Sequence, residues 1–132
     1  MSQENLEIVR RGFEAWDRGD YEAASSIFSS DVEIDASERI LNPAVYSGID
    51  GAMRFGKEIA ETWNEFHVEI EDMLSAGDEI VVLVRSTGQG RASGAQVEAR
   101  AAWVVAVSEQ KVTRLRLYRD RSRALEAAGL PG

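Results

Sequence analysis

An α+β fold, with helices on one face of a curved sheet, is what this sequence predicts, on three observations. Segments of helical period gather early in the chain and segments of strand period late, in the order α-α-β-α-β-β-β-β. The late strands are joined by short connections rich in Gly, Ser and Asp, which suit long antiparallel hairpins. The 132 residues are 44% apolar, enough to bury a core within one domain spanning 1–132. No internal repeat, low-complexity tract or linker divides them.

Residues 3–18 carry Leu6, Val9, Phe13 and Trp16 at helical spacing, with Ser2 available as a cap. Gly19 ends that helix, and Asp20 is placed to cap a second one bearing Ala23, Ala24, Ile27 and Phe28. Val32 and Ile34 then alternate with Asp31, Glu33 and Asp35, a strand period. Residues 36–49, with Asn42-Pro43 and Ser47-Gly48, read as an irregular loop that holds Tyr46. Asp50-Gly51 opens a third helix to about Asn64, its inner side expected at Met53, Ile59, Ala60 and Trp63. Strands follow at 67–74, 79–89, 96–107 and 112–119, and a short helix at 122–128 closes the chain before Gly129.

Composition excludes several chemistries. The chain has no Cys, so disulfides, thiolate zinc sites and cysteine nucleophiles are ruled out. No apolar run approaches the roughly 20 residues that span a bilayer, and Met1-Ser-Gln-Glu-Asn-Leu6 lacks the blocks of a signal peptide. The expectation is a soluble, cytoplasmic protein without a membrane partner. A net charge of −8 disfavours nucleic acid. Arg114, Arg116, Arg119, Arg121 and Arg123 crowd into one stretch; a strand's solvent face running into a helix, balanced by acids elsewhere, accounts for them better than a phosphate site.

The element order, with Gly19-Asp20 between the first helices and Asp31-Val-Glu-Ile-Asp35 after them, resembles the nuclear-transport-factor-2-like superfamily. Within it the chain looks most like SnoaL-like and ketosteroid-isomerase-like bacterial proteins. The stretches that carry the resemblance are Val45-Tyr-Ser-Gly-Ile-Asp-Gly51, Lys111-Val112 and Tyr118-Arg-Asp-Arg121 leading to Gly129. The resemblance covers nearly the whole chain. It implies a cone, the cystatin-like roll, in which a bent, mostly antiparallel sheet wraps three helices around an apolar pocket. It also implies a homodimer formed through the outer sheet face.

The same resemblance puts Asp35 where ketosteroid isomerases keep a general base. A carboxylate among apolar walls has its pKa raised and can move a proton next to a carbonyl. The departures are as informative. The isomerases' oxyanion donors, a Tyr on the first helix and a protonated Asp on the penultimate strand, fall here on Gly12 and at or near Trp103. Without them an enolate lacks its main stabilisation, which argues against authentic steroid isomerase activity. Alternation puts Asp31, Glu33 and Asp35 opposite Val32 and Ile34, so Asp35 reaches a pocket only if the strand ends or bulges before it. The three acids form no recognisable metal-ligand pattern.

Two further families of activity are also poorly matched. The working acid of SnoaL-type cyclases would fall where Leu115 and Leu117 face inward. The Asp-Arg-Asp set of epoxide hydrolases would leave Arg100 beside Ala101 and Ala102. His67, the single His, has no G-x-S-x-G companion and reads as a half-exposed strand residue. Arg85, Glu98 and Arg100 fall on the sheet's outer face, as cross-strand pairs or a dimer contact.

The aromatic residues Trp16, Tyr46, Trp63 and Trp103 are the candidate ligand-binding set, since aromatic-lined concave sites suit flat apolar molecules. Trp16 and Trp63 also fit a plain core at helical spacing. The expected partner is therefore an apolar or aromatic small molecule, with no cofactor and no metal. Three functions stay open: isomerase- or cyclase-like proton transfer with Asp35 as base and Tyr46 or Trp103 as orienting donors, a non-catalytic ligand-binding or dimerising module, and a hydrolase or dehydratase using water with Asp35 or Glu33 as base.

Overall fold

The computed structural model describes residues 3–39 and 43–131, so the expected cap Ser2 and the turn residue Asn42 lie outside the described residues. The elements are α1 (Gln3–Asp17), α2 (Tyr21–Ser25), β1 (Phe28–Ala36), β2 (Ala44–Ser47), α3 (Gly48–Thr62), β3 (Trp63–Ala76), β4 (Glu79–Gly90), β5 (Gln96–Ser108), β6 (Lys111–Tyr118) and α4 (Arg121–Ala127). The fold is α+β, as expected, with one open six-stranded sheet in the order β2-β1-β6-β5-β4-β3. Every pairing is antiparallel except β1 with β6.

Local signals account for most boundaries. Gly19 adopts φ +77° after α1, and the Asp20 side chain accepts a hydrogen bond of 3.1 Å from the Ala23 amide. Asp120 caps α4 in the same way through the Ser122 amide at 2.9 Å. Breaks in register at Asn64/His67, Ile70/Asp72 and Ala106/Val107 mark bulges, the usual source of sheet curvature. The β5–β6 turn puts two non-glycine residues, Glu109 and Gln110, at φ 51° and 66°, a hairpin geometry that normally selects Asn or Gly.

Three expectations are corrected. Residues 36–49 are not wholly irregular: β2 pairs with β1, Tyr46 opposite Ile34, because a neighbouring strand supplies the hydrogen bonds its short sequence could not announce. The second helix ends at Ser25, so Phe28 begins β1 and Ile27 lies between the two. In α3 the buried side is Gly51, Ala52, Phe55, Gly56 and Ile59, while Met53 and Ala60 are exposed and Trp63 belongs to β3. The buried side combines Phe55 and Ile59 with two glycines that let the helix come close to Tyr46 and Tyr21.

The main core lies between the helices and the concave side of the sheet, built on Val9, Phe13, Val32, Ile34, Val82 and Val105. A second apolar cluster sits on the outer side, where α4 covers Val81, Ala102, Val104 and Tyr118. Arg121 fastens α4 there, donating to the carbonyls of Ala101 at 3.1 Å and Val84 at 2.8 Å. No helix among the described residues is long and apolar enough to cross a membrane.

Candidate functional site

On the concave side a cavity of about 670 Å³ opens between α3 and strands β3 to β6. Alternation decides its wall. On β5, Val97, Ala99, Ala101 and Trp103 line it, and on β4 Val84, Ser86 and Gly88 do. Leu117 on β6 and Arg119 just past its end continue the parity, since Leu117 lies opposite Trp103. The helices add Trp16 from α1 and Phe55, Ile59 and Thr62 from α3.

Aromatic rings form a continuous wall. Trp16 meets Phe55 at 5.4 Å, Trp103 at 5.7 Å and Phe66 at 6.3 Å, and Phe66 meets Trp63 at 6.4 Å. Trp16 is held by its neighbour Asp17, whose carboxylate accepts from the Val68 amide at 2.9 Å and lies 3.2 Å from His67 Nδ1. That contact ties the end of α1 to β3 and gives His67, 62% exposed in its side chain, a tethering place on an edge strand. Gly88 lets the aromatic wall approach: a Cβ there would stand 3.1 Å from Trp63 Cε3.

The four aromatic residues expected to bind ligand divide. Trp16, Trp63 and Trp103 line the cavity, and they are all the tryptophans of the chain. Tyr46 does not line it. Its ring is 1% exposed and packs on Phe55 at 5.1 Å, one layer behind the wall. Its hydroxyl accepts from Arg39 Nη2 at 2.6 Å and donates to Glu58 Oε1, while Arg39 and Glu58 approach to 3.6 Å. Burial and the bond to Glu58 push the Tyr46 pKa up, with Arg39 opposing. The network holds Arg39 over the Phe55 ring, 5.2 Å from its centroid, where the guanidinium lines the cavity.

Asp35 does not line the cavity. Val32, Ile34 and Ala36 take the concave side of β1, and the strand has no bulge between Glu33 and Asp35 to reverse the parity. Asp35 therefore stands on the outer side, opposite Arg116. Its Oδ1 accepts from Ser37 at 3.0 Å (amide) and 2.6 Å (hydroxyl), and Oδ2 lies 3.7 Å from Arg116 Nε. Burial pushes its pKa up, but the Ser37 bonds and the charges of Arg116 and Arg114 outweigh it, leaving the carboxyl below its usual value. That shift is opposite in sense to the one expected of a base among apolar walls.

Gly12, at the position of the isomerases' tyrosine, faces a separate apolar void of about 40 Å³. A Cβ there would stand 2.3 Å from Ile27 Cδ1, so any larger residue would have to displace the end of that side chain. Among the described residues no Asp, Glu, His or Lys lines the large cavity, and no group of three or more acids or His is placed to hold a metal ion. Its polar groups are hydroxyls of Thr62, Ser86 and Thr87 and the arginines Arg39, Arg100 and Arg119. Phe55, Phe66, Arg39 and Arg119 were missing from the aromatic set named from sequence. Phe55 was legible from its i+4 spacing to Ile59, whereas nothing local marked Arg39, and Arg119 stood out only as one member of the basic run.

On the outer face the expected charge pairing is present in altered form. Arg85 reaches Glu98 at 2.9 Å and Glu69 at 3.7 Å, while Arg100 turns to Glu71 at 3.4 Å. Four of the five arginines of the basic stretch are likewise neutralised: Arg114 by Glu79, Arg116 by Asp35, Arg121 by Glu71 and Arg123 by Glu38.

Comparison with known proteins agrees with the fold. The profile of the SnoaL-like domain matches residues 9–115. An uncharacterized protein of Mycobacterium tuberculosis is 32% identical over 112 residues, covering 84% of this chain and 85% of that one. Among solved structures, an NTF2-like protein of Burkholderia thailandensis superposes with a TM-score of 0.81 at 23% identity, covering 99% of this chain and 100% of that one. TerC, co-crystallized with polyporic acid, gives 0.78 at 16% identity over 96% and 99% of the two chains. At those identities the structural likenesses speak for the fold alone.

Proposed function

Because this chain belongs to the SnoaL-like domain family, we propose that it binds a flat, largely apolar small molecule in the cavity between α3 and β3–β6, as a ligand-binding rather than a proton-transferring member. The observation that carries this reading is the lining. A space of about 670 Å³ is walled by three tryptophans and two phenylalanines and offers hydroxyls and guanidinium groups. Volume and lining fall in the range of small-molecule sites, where apolar walls supply affinity and a few polar groups orient the ligand. TerC, of the same fold, was co-crystallized with polyporic acid, which supports a small-molecule occupant of this architecture.

General acid–base catalysis needs a group within hydrogen-bonding reach of the proton it moves. Asp35 lies across the sheet, bonded to Ser37 and facing Arg116. Among the described residues the lining offers hydroxyls and guanidinium groups but no carboxylate or imidazole. Homodimerisation belongs to the same proposal. It would use the part of the outer face that α4 leaves open, around Arg85, Glu98 and Arg100, and sedimentation at micromolar concentration tests it.

The protein carries its own reporter, since all three tryptophans line the cavity. Titration with the neutral dye N-phenylnaphthylamine is expected to quench tryptophan emission saturably. Ala99→Phe, which places a ring into the concave wall, is expected to weaken binding at least about tenfold while leaving the circular dichroism spectrum unchanged. Absence of saturable quenching, or equal binding by the Ala99→Phe protein, would sink this reading.

A further inference from the structure

The cavity is charged at one side only, and in the sense opposite to the protein. The chain carries 23 acids against 15 Lys and Arg, yet among the described residues the lining contains arginines and no carboxylate. Two of the three arginines are accounted for. Arg100 turns its guanidinium to Glu71 on the outer face, and Arg39 is held by Tyr46 and Glu58.

Arg119 is different. The arginines flanking it at 114, 116, 121 and 123 each meet an acid within 4 Å. Arg119 has no ion pair among the described residues, is exposed, and lines the cavity. Its backbone amide donates to Glu38 Oε1 at 3.0 Å, and that carboxylate is itself gripped by Arg123 at 2.6 and 3.2 Å. Glu38 immediately precedes Arg39, so the bond also brings Arg39 and Arg119 to the same edge of the cavity.

The two sides of the space are chemically unlike. Arg119 follows β6, and Trp63 and Phe66 stand on β3, three strands away in the sheet order. At the usual strand spacing β6 and β3 lie about 14 Å apart across the sheet, and the pairing register also offsets Trp63 from Arg119 along the strands. A guanidinium keeps its proton at any physiological pH and offers a planar fork of donors to an oxyanion.

We propose that the ligand is an anion: a flat apolar ring system bearing a carboxylate-like oxyanion, its rings against Trp63 and Phe66 and its charge met by Arg119, with Arg39 beside it. This rests on the cavity being the binding site, and it adds the charge class of the occupant and the residue that selects it. Tyr46 and Glu58 are positioning residues for Arg39.

The test uses two dyes of matched shape, anionic anilinonaphthalenesulfonate and neutral N-phenylnaphthylamine, read by tryptophan quenching and by mutual displacement. The intact protein is expected to prefer the sulfonate by about tenfold, a preference that fades as salt is raised. Arg119→Gln should remove that preference and leave the neutral dye within about twofold, which also certifies that the cavity is folded. Arg119→Lys should retain part of the preference. Arg116→Gln, on the outer face, should change neither dye. If both dyes compete for one site and Arg119→Gln leaves the sulfonate's affinity unchanged, the anion proposal is overturned while the cavity stands. If neither dye quenches saturably, the cavity reading falls and takes this proposal with it.

Discussion

The two faces of β4, β5 and β6 are made by the same strands one residue out of step, and they are built for different ends. On the concave face Val84, Trp103 and Leu117 leave a space unfilled. On the outer face Val81, Ala102 and Val104 are sealed beneath α4, and arginines beyond the helix's reach are paired with acids. Open space beside apolar walls forfeits packing contacts, so the concave face gives up packing stability that the outer patch sealed beneath α4 keeps. The contrast teaches where to look for function in this fold: on the face where packing is incomplete and a charge is left without a partner.

The sharpest way to break this comparison is Trp103→Ala. The ring is 4% exposed and contacts both Trp16 and Phe55, so it serves the core and the cavity wall together. Truncation is expected to cost about 3–5 kcal/mol in urea unfolding and to abolish dye quenching. A loss below about 1 kcal/mol would mean the wall is not part of the core.

Tyr46→Phe probes the layer behind the wall. It removes only the hydroxyl that links Arg39 and Glu58, with an expected cost of about 1–2 kcal/mol in the same measurement. Sulfonate affinity should fall more than neutral-dye affinity, because Arg39 loses its anchor. Equal loss for both dyes would assign Tyr46 to packing alone.

The smallest effect belongs to the outer face. The Asp35 carboxyl is held below its unfolded value, so its stabilisation is present above the ordinary carboxylate range and is lost as pH falls through the folded pKa. Asp35→Asn should therefore make unfolding stability less sensitive to pH below about pH 4. It should cost less than about 1 kcal/mol at neutrality and leave dye binding intact. Glu38 is shifted the same way by the Arg119 amide and Arg123 against the opposing effect of its burial, so part of the acid sensitivity survives the substitution. A large loss of ligand binding on Asp35→Asn would restore Asp35 to the site.

Much of the scaffold was legible because it rests on local rules. The periods of α1 and β1, the glycine after α1, the cap at Asp20 and the turns after β3 and β5 are written within a few residues of where they act. The candidate site was half legible. Trp16, Trp63 and Trp103 drew attention as large aromatic residues, and all three line the cavity. Tyr46 drew the same attention and stands behind the wall, because β2 turns it toward Phe55 and Glu58. Phe55 and Phe66 looked like ordinary apolar residues, and Arg119 like one member of a basic run.

By itself the sequence determined the α+β class and the order of the elements other than β2, since each follows from chain-local periodicity, and it named the condition, a strand end or bulge, on which the side Asp35 faces depends. The tertiary structure alone decided that β1 lies parallel beside β6, that β2 exists, and that Arg119 faces a cavity while its neighbouring arginines find acids. Those outcomes depend on pairing between segments dozens of residues apart. Strand parity fixes which side chains share a face, but only long-range register fixes what that face meets.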